Sequence, residues 1–241
     1  DQPRSRGLGD VYKRQAMNFS PLWISIKTSL LATLITFILG ISVSYLVVNY
    51  KGRLKGFIDG IFTLPLILPP TVLGFFLLLI CGKNGPIGKL LKLFDTNIIF
   101  SWTATVIAAT VVAFPMMYRT TRSSFEQIDP NIISAARTLG LSEFKIFYKI
   151  AIPLAWPGII AGIVLSFARA MGEFGATLMI AGNIPGKTQT MPLAIFFAVE
   201  SGDMSTALKW VAIIVFISFI MIMILNYWSE YNLKITGKRG R

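Results

Sequence analysis

SSFEQIDPNIISAARTLGLSEFKIFYKIAIPLAWPG, residues 123–158, has a helical pattern but too many polar side chains to enter lipid. On both sides of it the chain turns apolar for about twenty residues at a time, the length that crosses a bilayer core. Such a segment lies at a membrane face and has to dock on something. Asp129-Pro130 reads as a helix start with proline in the first helical position, and Gly140 as its stop. Between them Ile132, Ile133, Ala136 and Leu139 form an apolar stripe, and Phe144, Phe147 and Ile150 carry the pattern on toward Pro153. The small residues Ala135 and Ala136 permit close approach of a partner. An exposed apolar patch of this kind marks an interface, although a helix packed on the protein's own membrane face would carry the same pattern.

Working outward, five apolar segments appear: about Leu22 to Val48, Phe57 to Ile80, Ile99 to Tyr118, Ile152 to Met171 and Ala207 to Tyr227. All read as helices, because barrel strands would be about half as long and would alternate apolar with polar residues. Composition agrees: 54% of the 241 residues are hydrophobic, 14% are charged and none is histidine. The expected fold class is therefore all-α, a polytopic helical membrane protein with about five transmembrane helices. A single membrane domain over residues 17–241 is expected, with its polar loop at about 123–150. The net charge of +12 sits between apolar segments, not along a soluble basic stripe, so no nucleic-acid partner is expected. With one cysteine, Cys81, and no histidine, disulfide frameworks, Ser-His-Asp triads and histidine metal sites are excluded, and no cofactor or metal is expected. Residues 1–16, DQPRSRGLGDVYKRQA, are polar and basic and lack a signal's apolar core; we read them as a tail foreign to the native chain, with Met17 as its start.

Lysine and arginine set the direction. Lys51, Arg53 and Lys55 follow the first span; Arg119, Arg122, Arg137, Lys145 and Lys149 follow the third; Lys234, Lys238, Arg239 and Arg241 end the chain. These stretches are placed in the cytoplasm, and the N-terminus outside. The opposite loops carry Lys83, Lys89, Lys92, Lys187 and Lys209. AGNIPGKTQT, residues 181–190, fits a loose Walker A pattern through Gly186, Lys187 and Thr188. In this orientation Lys187 lies outside, where there is no ATP, and Pro192 would break the helix that a P-loop must open.

SAARTLGLSEFKIFYKIAIP resembles the cytoplasmic loop of ABC-importer permeases, whose pattern is Glu-Ala-Ala, three residues, Gly, nine residues, then Ile-x-Leu-Pro. Ala135, Ala136, Gly140, Ile150 and Pro153 match it, whereas Ser134 stands at the glutamate and Ile152 at the leucine. The resemblance implies a type I importer permease fold. It also implies that the loop enters a cleft on a separate cytoplasmic ATPase, with Ser134, Ala135, Ala136, Leu139, Gly140, Ile150 and Pro153 as the coupling residues. A salt bridge at Ser134 is not carried over.

FARAMGEFGATLMIAGNIPGKTQTMPLAIFFAVESGD, residues 167–203, together with LPLILPPTVLGFFLLL, residues 64–79, is similar to the molybdate-family permeases, close to the sulfate permeases. That resemblance covers about Met17 to the final span. It implies import of molybdate or tungstate, a second copy of the chain, two ABC ATPase subunits and an extracytoplasmic binding protein. A sulfate or thiosulfate permease is the nearest alternative, and an ion-driven carrier a more distant one.

An oxyanion crossing lipid must exchange hydration for hydrogen-bond donors and must not be held too strongly. Thr71, Ser166, Thr177 and the backbone near Pro69, Pro70, Gly172 and Gly175 are candidate neutral donors or moving parts. The prolines can equally be kinks for packing. The spans are read as holding one ionisable pair, Arg169 with Glu173, a helical turn apart, which can act as a gate, a structural lock or an anion contact. No lysine is placed mid-span. Glu200 and Asp203 read as an exposed turn, and Trp23, Trp102, Trp210 and Trp228 as interfacial anchors.

Overall fold

The computed structural model describes residues 18–94 and 96–237, with side chains through Tyr227. The tail at 1–16, the side chains of Trp228 and Lys234, and the terminal cations Lys238, Arg239 and Arg241 lie outside the described residues. Among the described residues every regular element is helical. In chain order these are α1 (Ser20–Asn49), α2 (Lys55–Ile67), α3 (Pro70–Cys81), α4 (Pro86–Lys92), α5 (Trp102–Glu126), α6 (Pro130–Thr138) and α7 (Glu143–Ile146). A π-helical turn, Phe147–Ala151, leads into α8 (Ile152–Met171), and α9 (Gly175–Ala181), α10 (Met191–Glu200) and α11 (Met204–Gly237) follow.

α1, α5 and α8 form the packed centre. Their contact faces are lined by small residues, Ala32, Ala109, Ala113 and Ala170, which let the backbones approach without a driving force from water. Hydroxyls join the same faces. Thr28 and Thr105 lie 3.1 Å apart and Ser44 donates to the Tyr118 carbonyl at 2.9 Å, while Ser25 ties α1 to α10 by accepting from the Met191 amide at 2.8 Å. Large side chains fill the end of the bundle nearer α6, where Met117, Phe125 and Ile159 pack with Ile41.

Three helices are long and apolar enough to cross a membrane: α1, the continuous run Glu143–Met171, and α11 as far as Tyr227. The segment read as the second span is two helices that meet at 114° across Leu68 and Pro69, and as one broken span it makes a fourth. Proline explains the break, since Pro69 and Pro70 donate no N–H and disfavour helical backbone at the residue before each. α5, read as the third span, is long enough but falls short in apolarity among the described residues. Its twelve buried residues explain how it is accommodated, because alanines, threonines and Tyr118 face other helices and not lipid. The π turn before α8 also follows from proline: Pro153 cannot donate to the carbonyl of Lys149, and its ring crowds that carbonyl.

Candidate coupling and gate sites

The amphipathic segment and the Arg169–Glu173 pair stand at opposite ends of α8, a helix about 30 Å long at 1.5 Å per residue. At the first end, α6 is capped as its sequence requires. The Asp129 carboxylate accepts from the Asn131 amide at 2.8 Å, Pro130 is the first helical residue, and Gly140 takes a φ of +76° that a side chain would resist. The apolar stripe divides. Ala136 is buried against the chain itself, whereas Ile132, Ala135 and Leu139 are open, Leu139 at 81% exposure. Ser134 donates to the Pro130 carbonyl at 2.9 Å. The ion pair here is instead Arg137 with Glu143, at 2.7 and 3.1 Å, tying α6 to α7. Ile150 and Pro153 are not on α6. Ile150 lies in the π turn and Pro153 in the first turn of α8, where Pro153 borders an apolar groove with Phe37, Ile41, Phe147 and Trp156.

At the other end, Glu173 is almost fully enclosed, its side chain 1% exposed, while Arg169 is 27% exposed. One carboxylate oxygen meets Arg169 Nη1 at 2.9 Å and the other accepts from the Ala176 amide at 2.8 Å. Glu173 therefore pairs with the preceding turn of α8 and also satisfies a free N–H at the start of α9. The break in the second span comes to the same place: a Cβ on Gly175 would sit 3.0 Å from Pro70 Cβ, and one on Gly74 would sit 2.8 Å from Ala176 Cα. Pro69, Thr71 and Gly172 are exposed around this junction, and Pro70 is half-buried. Ser166 and Thr177 are enclosed within the protomer, Ser166 reaching the Ala113 carbonyl at 3.5 Å. Of the hydroxyls read as donors, Thr71 alone faces open space.

The Walker-like loop is closed on itself. Thr188 donates to the Gly182 carbonyl and accepts from the Ile184 amide, each at 3.0 Å, and the amides of Lys187, Thr188 and Gln189 all point to the Ile184 carbonyl. The following helix starts at Met191, so the amides that a P-loop would aim at phosphate are occupied here.

Two ionisable residues inside the spans escape the sequence reading. Lys27, in the second turn of α1, stacks with its ammonium 4.0 Å from the Trp102 ring, whose N–H donates to Thr28 at 2.9 Å. Asp59, in α2, accepts from the Tyr118 hydroxyl at 2.8 Å and pairs with Arg122, which also holds Glu126 at 2.9 Å. The signal for Asp59 was a carboxylate one turn inside an apolar run, which has to find a cation. Among the anchors, Trp23 is exposed, whereas Trp210 is buried with Met171 and Met191 and anchors the helices to each other, not to an interface.

A bundle of apolar helices with charge pairs set among them, Arg169–Glu173 and Asp59–Arg122, is the frame of a membrane transport subunit, the class that the family match shows. The chain belongs to the family of binding-protein-dependent transport system inner membrane components, whose model matches residues 22–233, and it is thus a multi-pass inner-membrane protein. It is 45% identical over 209 residues to the putative molybdenum transport system permease protein YvgM of Bacillus subtilis, covering 86% of this chain and 92% of that one. It is 39% identical over 219 residues to the molybdenum transport system permease protein ModB of Escherichia coli K12, covering 90% and 94%. The sulfate transport system permease protein CysT of Salmonella typhimurium is 29% identical, covering 89% and 78%. In fold, the chain is similar to a subunit of the MetNI methionine ABC transporter, at a TM-score of 0.65 and 16% identity over 88% of this chain and 96% of that one. It is also similar to a subunit of a bacterial alginate ABC transporter, at 0.71 and 12% over 95% and 84%.

Proposed function

We propose that this chain is the permease of an ATP-driven importer for molybdate or tungstate, working by alternating access. The observation that carries the reading is the 45% identity to a molybdenum permease over most of both chains, set against 29% to a sulfate permease. α6 is the coupling element: a separate cytoplasmic ATPase takes the exposed face of Ile132, Ala135 and Leu139, and Ser134 and Gly140 border it. Ala136 packs α6 against the chain itself, and Ile150 and Pro153 shape the entry of α8 behind it. The α6 end faces the cytoplasm, together with the C-terminus, and the Arg169–Glu173 end faces outward with the N-terminus. An external binding protein delivers the anion there. A second copy of the chain completes the path. α2 supports this, since it has no buried residue in the protomer, and Gly56 and Gly60, spaced as in helix-pairing motifs, have no neighbour within 4 Å. The junction of Pro69, Pro70 and Thr71 with Gly172, Glu173 and Gly175 is the outer gate. Arg169 and Glu173 lock it structurally, and Ser166 and Thr177 pack behind it.

The test is uptake of labelled molybdate into proteoliposomes that hold this chain, its ATPase and its binding protein, with sulfate or tungstate in excess. Uptake that yields to tungstate and resists sulfate supports the assignment, and uptake abolished by sulfate moves the chain to sulfate.

A further inference from the structure

α2 is loosely attached to the bundle, with no residue buried in the protomer. Its aromatic contact is Phe62, whose ring lies 5.6 Å from Phe114 and 5.4 Å from Tyr118 on α5. Its side-chain hydrogen bonds to other helices are that of Lys55 to the Val48 carbonyl of α1, at 3.2 Å, and the Asp59 contacts with Tyr118 and Arg122 on α5. Arg122 lies in the last turns of α5 and Glu126 is its final residue, three positions before the Asp129 cap of α6. Only Gln127, Ile128 and Asp129 separate the end of α5, with the turn that holds Arg122, from the start of α6.

Arg122 is offered two carboxylates, Asp59 on α2 and Glu126 on its own helix. Its side chain is 20% exposed and that of Asp59 33%, so water reaches both. They open onto a cleft of about 330 Å³ also lined by Thr63, Arg119 and Ser123. When Asp59 leaves, the guanidinium keeps Glu126 and the cleft gives the Asp59 carboxylate room and water, so the pair has two arrangements without an unpaired buried charge. Beyond Asp59, α2 runs through the 114° break into α3, and α3 packs through Pro70 and Gly74 on α9, which Glu173 caps.

We infer that Asp59 is a positioning residue for transport: its bond to Arg122 ties α2 to the coupling end of the bundle and exchanges during the cycle, so that α6 movement reaches the outer junction through α2 and α3. This rests on α6 as the coupling element. We do not read the cluster as an anion site, because Arg122 is already held by two carboxylates. Tyr118 donates to Asp59 from a fully buried position and holds it in register with Arg122.

The experiment measures anions imported per ATP hydrolysed by the complete reconstituted transporter carrying Asp59→Asn, Tyr118→Phe, or Asp59→Arg with Arg122→Asp, alongside Leu139→Asp. The ratio falls about tenfold in Asp59→Asn and about threefold in Tyr118→Phe, the range of coupling effects for residues between sites. The reversed pair recovers at least about a third of the parent ratio, as a restored attraction would. A purely structural role would lower uptake and hydrolysis together, leaving the ratio unmoved, and that result overturns the inference. Tyr118→Phe keeps the buried ring, so it decides the matter if Asp59→Asn does not assemble; a parent-like ratio there also overturns it. Loss of coupling in Leu139→Asp with parent-like ratios in the Asp59 and Tyr118 variants refutes the relay and leaves α6 as the coupling element. A parent-like ratio in Leu139→Asp refutes α6 in that role, and the relay with it.

Discussion

Glu173 makes two charge-assisted hydrogen bonds, one to Arg169 across a helical turn and one to the Ala176 amide at the start of α9. In Glu173→Gln the single amide oxygen keeps the contact to the enclosed Ala176 amide as a neutral acceptor, and the NH2 that replaces the other oxygen cannot accept from Arg169. A hydrogen bond to a charged group contributes about 1.5–3 kcal/mol and a neutral one about 0.5–1.5, so weakening the first contact and losing the second, offset in part by water at the 27% exposed Arg169, costs about 2 kcal/mol. Glu173→Ala removes both bonds, but Arg169, 27% exposed, recovers some water, and the cost is about 3 kcal/mol. Arg169→Gln costs about as much as the alanine variant and more than Glu173→Gln, because it strands the carboxylate, the more deeply buried partner. Backbone hydrogen exchange over residues 174–182 reads this directly, since α9 opens locally and exchange follows the opening equilibrium. At 1.36 kcal/mol per tenfold, exchange of the α9 amides rises about thirtyfold in Glu173→Gln and roughly 150-fold in Glu173→Ala. Changes below about threefold in both, or equal changes in Glu173→Gln and Arg169→Gln, would refute the argument that burial and charge at this pair hold α9 in place.

The other predictions are briefer. Gly74→Ala places a methyl 2.7 Å from Met179 Cβ and 2.8 Å from Ala176 Cα, backbone that cannot yield easily, and should cost about 1–3 kcal/mol in thermal unfolding of the purified chain; no loss would show that α3 and α9 are not in close contact. A Cβ at exposed Gly60 has no neighbour within 4 Å, so Gly60→Leu should leave monomer stability intact and weaken pairing of two copies, measured by mass in detergent. Unchanged pairing would remove α2 from the dimer interface. Leu139→Asp should abolish co-purification with the ATPase while leaving the fold intact, whereas Ala136→Asp buries a charge and should lower stability by about 3 kcal/mol or more. Equal stability of the two would contradict the assigned faces of α6. Lys187→Ala should leave ATP-dependent uptake unchanged, and specific labelling of Lys187 by an ATP analogue would contradict the closed loop.

How much of this was legible in the sequence varied with how local the cause was. The bounds of α8 read correctly as Ile152 to Met171, since proline chemistry stands at its start and glycine at its end. The caps of α6 were equally plain, because Asp-Pro and a glycine stop act on their own neighbours. The prolines of the second span signalled a break, but a proline states that a helix stops, not the direction in which the chain resumes, so the 114° turn was not legible. Burial was legible only as a stripe. Ala135 and Ala136 are adjacent small residues, and which of them faces the bundle depends on the orientation of α6, set by tertiary packing. Asp59 was overlooked because its partners Tyr118 and Arg122 sit on another helix, and a lone carboxylate near the head of an apolar run resembles an ordinary boundary. Glu173 and Arg169 pair at a local spacing that the sequence displays, whereas the bond to the Ala176 amide depends on the break between α8 and α9 at Gly172 to Phe174.

The most direct test of the account is uptake of labelled molybdate by proteoliposomes containing this chain and its binding protein, measured with the ATPase present or absent and with ion gradients collapsed. Uptake that requires both the ATPase and ATP, and persists without any gradient, is the predicted result. Uptake by the chain without the ATPase, driven by a proton or sodium gradient, would contradict it and make this protein an ion-driven carrier.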